Sequence, residues 1–402
     1  MQSRIMYIRN SDARREGPEG KTVRFFSPAM ARQVRRFHQS FPEYNKTDLV
    51  LLPNLARELG IANLWIKDES SRFGLNAFKV LGATHALYRL MAKEYGAEEE
   101  PLCFDLFQSA DIKKKIKDRT VVTATDGNHG RALAWAAQRL GCRAVVYLPK
   151  GSSPARMECI RSHGAEVVVV DGNYDEAVCY ASDQAQKQGW LLIQDTAWEG
   201  YQEIPIWIMQ GYMTLMDEAL EQLNGIFPTH VLAQCGVGSF SSALQAYLFE
   251  AFGVERPLFI VVEPTEAACY YRSVVNGTNV PQNVEGNLNT IMAGLACGRP
   301  SLLAWKILKR YADVFVAVDD EVALKGMRRL HCPVGDDRKI VSGESGAVTT
   351  GFLITVLENP VYREIAGALK LDVHSRVLVV STEGDTDPDL YKRIIEEKVD
   401  CG

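Results

Sequence analysis

The sequence predicts an α/β protein: two open, twisted, mainly parallel sheets with helices on both faces and a ligand site between them. Three observations carry this. From residue 121 onward, short apolar runs of strand length alternate with longer helical segments. Several of those helical segments stop at a glycine, the residue that most easily takes the left-handed turn ending a helix. The polar, glycine-rich motifs follow directly on strands, and ligands of open α/β sheets sit beyond the carboxyl ends of strands.

In chain order, residues 1–45 are polar with scattered aromatics and read as an arm packed on the body or on a partner subunit. Residues 47–59 read as a helix with Thr47 as its N-cap and Pro53 marking where it starts. Residues 64–67 read as a strand and 83–91 as a helix. Then come strand 121–124, helix 131–140 stopped by Gly141, strand 144–148, helix 154–163 stopped by Gly164, and the valine run Glu166–Val170. That run reads as a strand buried on both faces. Helix Tyr174–Gln188, stopped by Gly189, and strand 190–193 complete a β-α-β-α-β-α-β series, which implies parallel strands with right-handed crossovers. A second series follows: helix 205–222, strand 231–234, helix 241–252, strand 258–263, helix 301–311, strand Val314–Val318, helices 321–330 and 346–358, and strand 377–381. The seam between the sheets falls near residues 195–215. The domain division expected is residues 1–85 together with 210–402 as a larger, cofactor-anchoring domain, and 86–209 as a smaller α/β domain.

Composition excludes several classes of function. A chain of 402 residues with 47% hydrophobic content can bury one large or two ordinary cores. Its net charge of -5 gives no basic field to draw nucleic acid or anionic lipid, and the run Lys113–Lys117 reads as a solvated helix face. No apolar run approaches the roughly 18 residues of a membrane span. The polar, arginine-rich N-terminus lacks the apolar core of a secretory signal. Nine cysteines are scattered without a C-x-x-C pair or zinc spacing, which implies no metal site and a reducing, cytoplasmic setting. A meeting of Cys269 and Cys297 across a surface loop stays open.

Four stretches carry chemistry. Lys79 stands in the small-residue run Gly74–Ala83 at a strand-to-helix junction, with Phe78 and Val80 to exclude water. A desolvated lysine loses some of its preference for the charged form and can then attack a carbonyl. Taken alone, the segment fits a lysine snorkelling from a helix start better. Thr125-Asp126-Gly127-Asn128-His129-Gly130 follows a strand and opens a helix: its glycines admit a ligand, Asn128 can donate to a phenolate-like oxygen, and Asp126 is a carboxylate or a mere cap. Gln234-Cys235-Gly236-Val237-Gly238-Ser239 offers a nest of N–H groups for a phosphate. It resembles a dinucleotide fingerprint but has Ser241 where the third glycine would stand. Ser381-Thr382-Glu383-Gly384-Asp385 ends the last strand, where a hydroxyl can meet an aromatic nitrogen or simply make a turn.

In this order, these four stretches resemble the fold-type II pyridoxal phosphate enzymes, the tryptophan synthase β and threonine dehydratase group, over residues 25–395. The departures from the group's usual motifs, Thr-Asp-Gly-Asn-His at 125–129 and Gly-Val-Gly-Ser at 236–239, resemble its diaminopropionate ammonia-lyase branch, as do Asp195–Tyr201 and Ser381–Asp387. The resemblance implies pyridoxal 5'-phosphate as cofactor and Lys79 as the lysine that forms the Schiff base. It implies Phe78 and Asn128 beside the ring, with Asn128 at its 3-oxygen. It also places Gly236, Val237, Gly238 and Ser239 at the phosphate and Thr382 at the pyridine nitrogen. A neutral hydroxyl at that nitrogen suits prompt elimination over transamination. Asp126 stands where ordinary dehydratases have a hydroxyl, so a carboxylate and a lysine on opposite faces could each take the Cα proton of one enantiomer. Asp195 is the candidate contact for a second substrate ammonium, or else a helix cap. The expectation is α,β-elimination on D- and L-2,3-diaminopropionate, giving pyruvate and two ammonia, by a homodimer acting on a small amino acid. Rival readings are a serine or threonine dehydratase or racemase on the same scaffold, a nicotinamide-dependent dehydrogenase, and an inert ligand-binding protein.

Overall fold

A computed structural model describes residues 3–14 and 23–397. Part of the expected N-terminal arm and Cys401 lie outside them. Among the described residues, eleven strands form two sheets. They are β1 (Ile5–Arg9), β2 (Leu49–Leu51), β3 (Asn63–Asp68), β4 (Thr120–Ala124), β5 (Arg143–Pro149), β6 (Glu166–Val170), β7 (Leu191–Leu192), β8 (His230–Gln234), β9 (Leu258–Pro264), β10 (Val314–Val318) and β11 (Arg376–Ser381). The seven-stranded sheet has the order β1-β10-β9-β8-β11-β3-β2 and is parallel except at its two edges, where β1 and β2 run antiparallel to their neighbours. The four-stranded sheet has the order β6-β5-β4-β7 and is wholly parallel.

The central strands β4, β8 and β10 are buried along their whole length, as parallel strands covered on both faces must be. The helices start and stop where the side chains dictate. Asn173 and Glu176 form a reciprocal capping box before Tyr174–Gln188. Ser153 and Ser301 cap Pro154–Arg161 and Leu302–Tyr311. Gly141 and Gly189 close their helices in the left-handed conformation.

Two expectations are corrected. Residues 49–51 are a strand, and Thr47 is not an N-cap: its hydroxyl donates to Glu69 Oε1 at 2.6 Å, and the helix begins only at Pro53. β6 is an edge strand with Val169 49% exposed, because β5 covers one edge only and the half-buried pattern follows. The described part of the N-terminal arm packs on the body, as expected: Ile5–Arg9 adds to the edge of β10, and Pro28–Gln39 is a helix capped by Ser27 that packs against Glu203–Gln222.

Candidate active site

The lysine turn is built by backbone strain and by stitching. Phe73 and Asn76 both take positive φ, 51° and 59°, which non-glycine residues adopt only where neighbours enforce it. Here the turn after β11 enforces it. Phe78 N donates to the Thr382 carbonyl at 3.1 Å, Gly384 N donates to the Asn76 carbonyl at 3.0 Å, and Asn76 Nδ2 donates to Asp385 Oδ1 at 3.0 Å. Ala77 and Glu383 pair as an antiparallel bridge. Two segments some 300 positions apart therefore act as one wall, with Lys79 leading into the helix Val80–Glu94. Phe78 packs on Tyr212 and Phe240, with centroids 4.8 and 4.6 Å away, and closes the wall to water.

The Lys79 ammonium stands 2.5 Å from Asp195 Oδ2, and its side chain is 15% exposed. Burial alone would push the amine down. The Asp195 carboxylate, then Tyr212 and Asp126, override it and hold the amine above the usual lysine range. The expectation of a lysine made neutral by desolvation is thus corrected: in this state it is a charged partner of Asp195. Burial works against the Asp195 carboxylate too, but the Lys79 ammonium, by its charge and its hydrogen bond, keeps it below the usual carboxylate range. Tyr174 donates to Asp195 Oδ1 at 3.2 Å. Burial holds His129 neutral, and its Nε2 meets the Ile193 carbonyl at 2.8 Å.

The glycine-rich turn stands between β8 and the helix Ser239–Phe252. Gly238 has φ 94°, and a Cβ there would collide with the Tyr270 hydroxyl, which donates to the Val237 carbonyl at 2.7 Å. A Cβ on Gly236 would come within 3.0 Å of the Gly294 carbonyl. Gly238 admits only glycine, Gly236 leaves little room for a side chain, and the helix N-terminus behind them is an anion site. Ser239 Oγ donates to the Asp195 carbonyl at 2.5 Å, which ties this turn to the segment holding Lys79.

Lys79, Asp126, Asn128, Asp195, Thr382 and Glu383 line one cavity of about 590 Å³, mouth included, together with Phe78 and the turn 236–239. All the residues singled out in the sequence come together there. The sequence reading had left out Glu383, Ser345 and Tyr174 as site residues. Glu383 stood in a motif already noted; Ser345 and Tyr174 stand in no motif, and Tyr174 is one residue past a helix cap. Cys297 also lines the cavity. Cys269 and Cys297 are both buried free thiols, so neither lies on a surface loop. Among the described residues no cluster has metal-binding composition.

The residues fit a phosphate-bearing aromatic aldehyde. Thr382 Oγ1 accepts from Gln234 Nε2 at 3.0 Å, so its own hydrogen is left to donate elsewhere. The glycine turn offers N–H groups, Lys79 offers an amine, and the buried Ser345 hydroxyl has no partner.

A family profile described as pyridoxal-phosphate dependent enzyme matches residues 41–362, and the chain belongs to that family. Within it, the chain is 47% identical over 399 residues to diaminopropionate ammonia-lyase of Salmonella typhimurium, covering 98% of either chain. It is 47% identical over 380 residues to diaminopropionate ammonia-lyase of Escherichia coli, covering 94% of either chain. The crystal structure of the Escherichia coli enzyme in complex with D-serine superposes with a TM-score of 0.91 at 43% identity, over 98% of both chains. The same enzyme in complex with an aminoacrylate-PLP azomethine reaction intermediate gives 0.89 at 43% identity, again over 98% of both chains. Pyridoxal 5'-phosphate is the cofactor of this chain.

Proposed function

We propose that this chain is a pyridoxal-phosphate-dependent ammonia-lyase that eliminates ammonia from 2,3-diaminopropionate of either configuration, leaving pyruvate and two ammonia. The observation that carries the reading is that the Lys79 amine and the Asp126 carboxyl line one cavity, in a chain similar to diaminopropionate ammonia-lyases over nearly its whole length. The reading is preferred to a dehydratase or racemase, whose solved structures share only the fold, at 20% identity and a TM-score of 0.68 for a threonine deaminase.

When bound, the cofactor supplies the electron sink that makes a Cα proton removable. The chain's residues do the rest. Lys79 would hold the cofactor covalently and, once substrate has freed its amine, take the proton of the L-isomer. Asp126 takes that of the D-isomer. The amides of Gly236, Val237, Gly238 and Ser239 hold the phosphate, Thr382 meets the ring nitrogen, Asn128 the ring oxygen, and Phe78 keeps water out. Asp195 stabilises the lysine's charge when the amine is free and receives a substrate ammonium once it is not. Residues 1–85 with 210–402 serve as the anchoring domain and 86–209 as the smaller one; β4 to β7 all fall within the latter. The setting is the cytoplasm: no described helix is long and apolar enough to cross a membrane, and the described cysteines are free. The unit is a homodimer, a reading supported by the ordered aromatic N-terminal segment with Phe25 48% exposed and checked by light scattering.

Pyruvate release from each isomer tests the function. Asp126→Asn is expected to lose D-isomer turnover about 100-fold, the usual worth of a general base, with a smaller loss on the L-isomer. Equal losses would contradict the two-acceptor reading. Faster turnover of serine than of the diamine would reassign the enzyme.

A further inference from the structure

Tyr212 lines the cavity, is 1% exposed, and its hydroxyl has no partner among the described residues. Close packing fixes its ring. Its helix, Glu203–Gln222, meets the helix Val80–Glu94 at bare glycines: a Cβ on Gly82 would lie 2.5 Å from Tyr212 Cε1, and one on Gly211 would collide with the Leu81 carbonyl. Phe240 stands edge-on to the ring, with centroids 6.3 Å apart, and Phe78 packs on it from the lysine turn. A phenol O–H kept from water without a hydrogen bond is unfavourable, and phenylalanine would fill the same place without that penalty. The hydroxyl therefore calls for a partner that arrives with a ligand.

Its surroundings say which kind. The charged groups that bear on the hydroxyl are Lys79 and Asp195, the 2.5 Å ion pair. That pair is short of acceptors. An ammonium has three N–H groups to place, and among the described residues Asp195 Oδ2 is the one acceptor bonded to the Lys79 nitrogen. Asp195 Oδ1 is already taken by the Tyr174 hydroxyl at 3.2 Å and by Gln194 Nε2 at 3.3 Å. Resting on the proposed function, which seats the substrate's second ammonium at Asp195, we propose that the Tyr212 hydroxyl completes this seat. Its oxygen accepts a second N–H of the substrate's β-ammonium, which makes Tyr212 a specificity-determining residue for the diamine over serine. A serine hydroxyl has a single hydrogen, which Asp195 alone can take.

The contact belongs to the bound substrate and not to the transition state. When the Cα–H bond is broken, its electron pair forms the Cα–Cβ double bond. The Cβ–N bond breaks with its pair going to nitrogen, and the ammonium departs as neutral ammonia with no further proton. The charge held by Asp195 and Tyr212 fades as that bond breaks, so the seat lowers KM and adds nothing to kcat.

Tyr212→Phe deletes one oxygen and keeps the packing. It is expected to raise KM for both isomers of 2,3-diaminopropionate about tenfold, the low end for a hydrogen bond to a charged group, with kcat within about twofold of the wild type. KM and kcat for β-chloroalanine, which has no β-ammonium, should each stay within about twofold. Two readouts without turnover separate this from a structural or cofactor-binding role. Without cofactor, the variant should unfold at the temperature of the wild type or above it, because the lost hydroxyl had no partner. Absorbance titration of that protein should give an unchanged cofactor affinity. An unchanged KM for the diamine, an equal rise for β-chloroalanine, a lower unfolding temperature, or a loss of cofactor affinity each overturns the proposal. A wild type that releases no pyruvate from the diamine would instead refute the proposed function itself, and the seat with it.

Discussion

A lysine and an aspartate buried 2.5 Å apart decide each other's charge. Neither state can be read from its own neighbours in the chain, since 116 positions separate them. This is why the sequence pointed to Lys79 but not to its charge: small neighbours and a strand-helix junction mark the lysine, and only the fold supplies Asp195. The same holds for Glu383, whose significance depends on Asn128 and Ser345 arriving from elsewhere. Asp126, Asn128 and the glycine turn were legible because each motif is contiguous and its geometry local. A prediction follows for the pair. Asp195→Asn removes the carboxylate that raises the Lys79 amine but leaves the burial that lowers it, so the amine's pKa falls. In cofactor-free protein near pH 8, acylation of Lys79 by an amine-reactive reagent, read by peptide mass spectrometry, should rise about tenfold for each unit of that fall. Unchanged labelling would mean that Asp195 does not set the charge.

Among the elements, the parallel strands and the long helices were legible, and the two antiparallel edge strands were not. Helices such as Tyr174–Gln188 carry caps and glycine stops in their own sequence. β2 has three residues and exists because Leu49–Leu51 pairs with β3, not through any pattern of its own. β3 and the turn after it rest on a buried ion cluster that periodicity does not reveal. Lys67 Nζ and Arg72 Nη2 both donate to Glu218 Oε2, at 2.8 and 2.7 Å, and Arg72 Nε donates to Glu69 Oε2 at 2.8 Å. All four side chains are fully buried. Removing one partner of such a set leaves buried charge uncompensated, at a cost of about 3–5 kcal/mol. Glu218→Gln is therefore expected to lower unfolding stability by that order in urea titrations at pH 7. The sign with pH is fixed as well. Burial raises the Glu218 carboxyl, but Arg72 and Lys67 outweigh it and depress it below its unfolded value. Its contribution is fully present above about pH 4.3 and is lost as pH falls through the folded value. The gap between wild type and Glu218→Gln should accordingly narrow in acid; a gap constant from pH 7 to pH 3 would refute the ionic account.

At the scale of the whole molecule, the two sheets face each other across the cavity, and the contacts crossing it differ in kind from one side to the other. On the Asp195 side they involve the backbone: Ser239 Oγ donates to the Asp195 carbonyl, Ala197 N to Ser301 Oγ at 3.1 Å, and Leu302 N to the Ala197 carbonyl at 3.0 Å. On the Asp126 side each starts from a side chain: Arg156 Nη2 donates to Glu344 Oε1 at 2.5 Å, Asn128 to Glu383, and Arg131 Nη1 to the Leu75 carbonyl at 3.0 Å. A side-chain ion pair can part at little cost to either sheet, so the Arg156–Glu344 pair is the contact expected to release first when the cleft opens. Arg156 is 11% exposed and Glu344 4%, so the pair is desolvated enough to matter and still near water. Arg156→Met keeps the aliphatic stem that lies against Gly127 and deletes the charge. Opening should then cost less by about 1.4 kcal/mol, and amide exchange in the first turns of the helices Asn128–Leu140 and Glu344–Glu358 should accelerate about tenfold. Exchange in β8 and β9, which opens only with the whole fold, should stay unchanged. Acceleration spread equally over both regions would show general destabilisation in place of a parted cleft, and no acceleration at all would show that the backbone side alone holds the two sheets together.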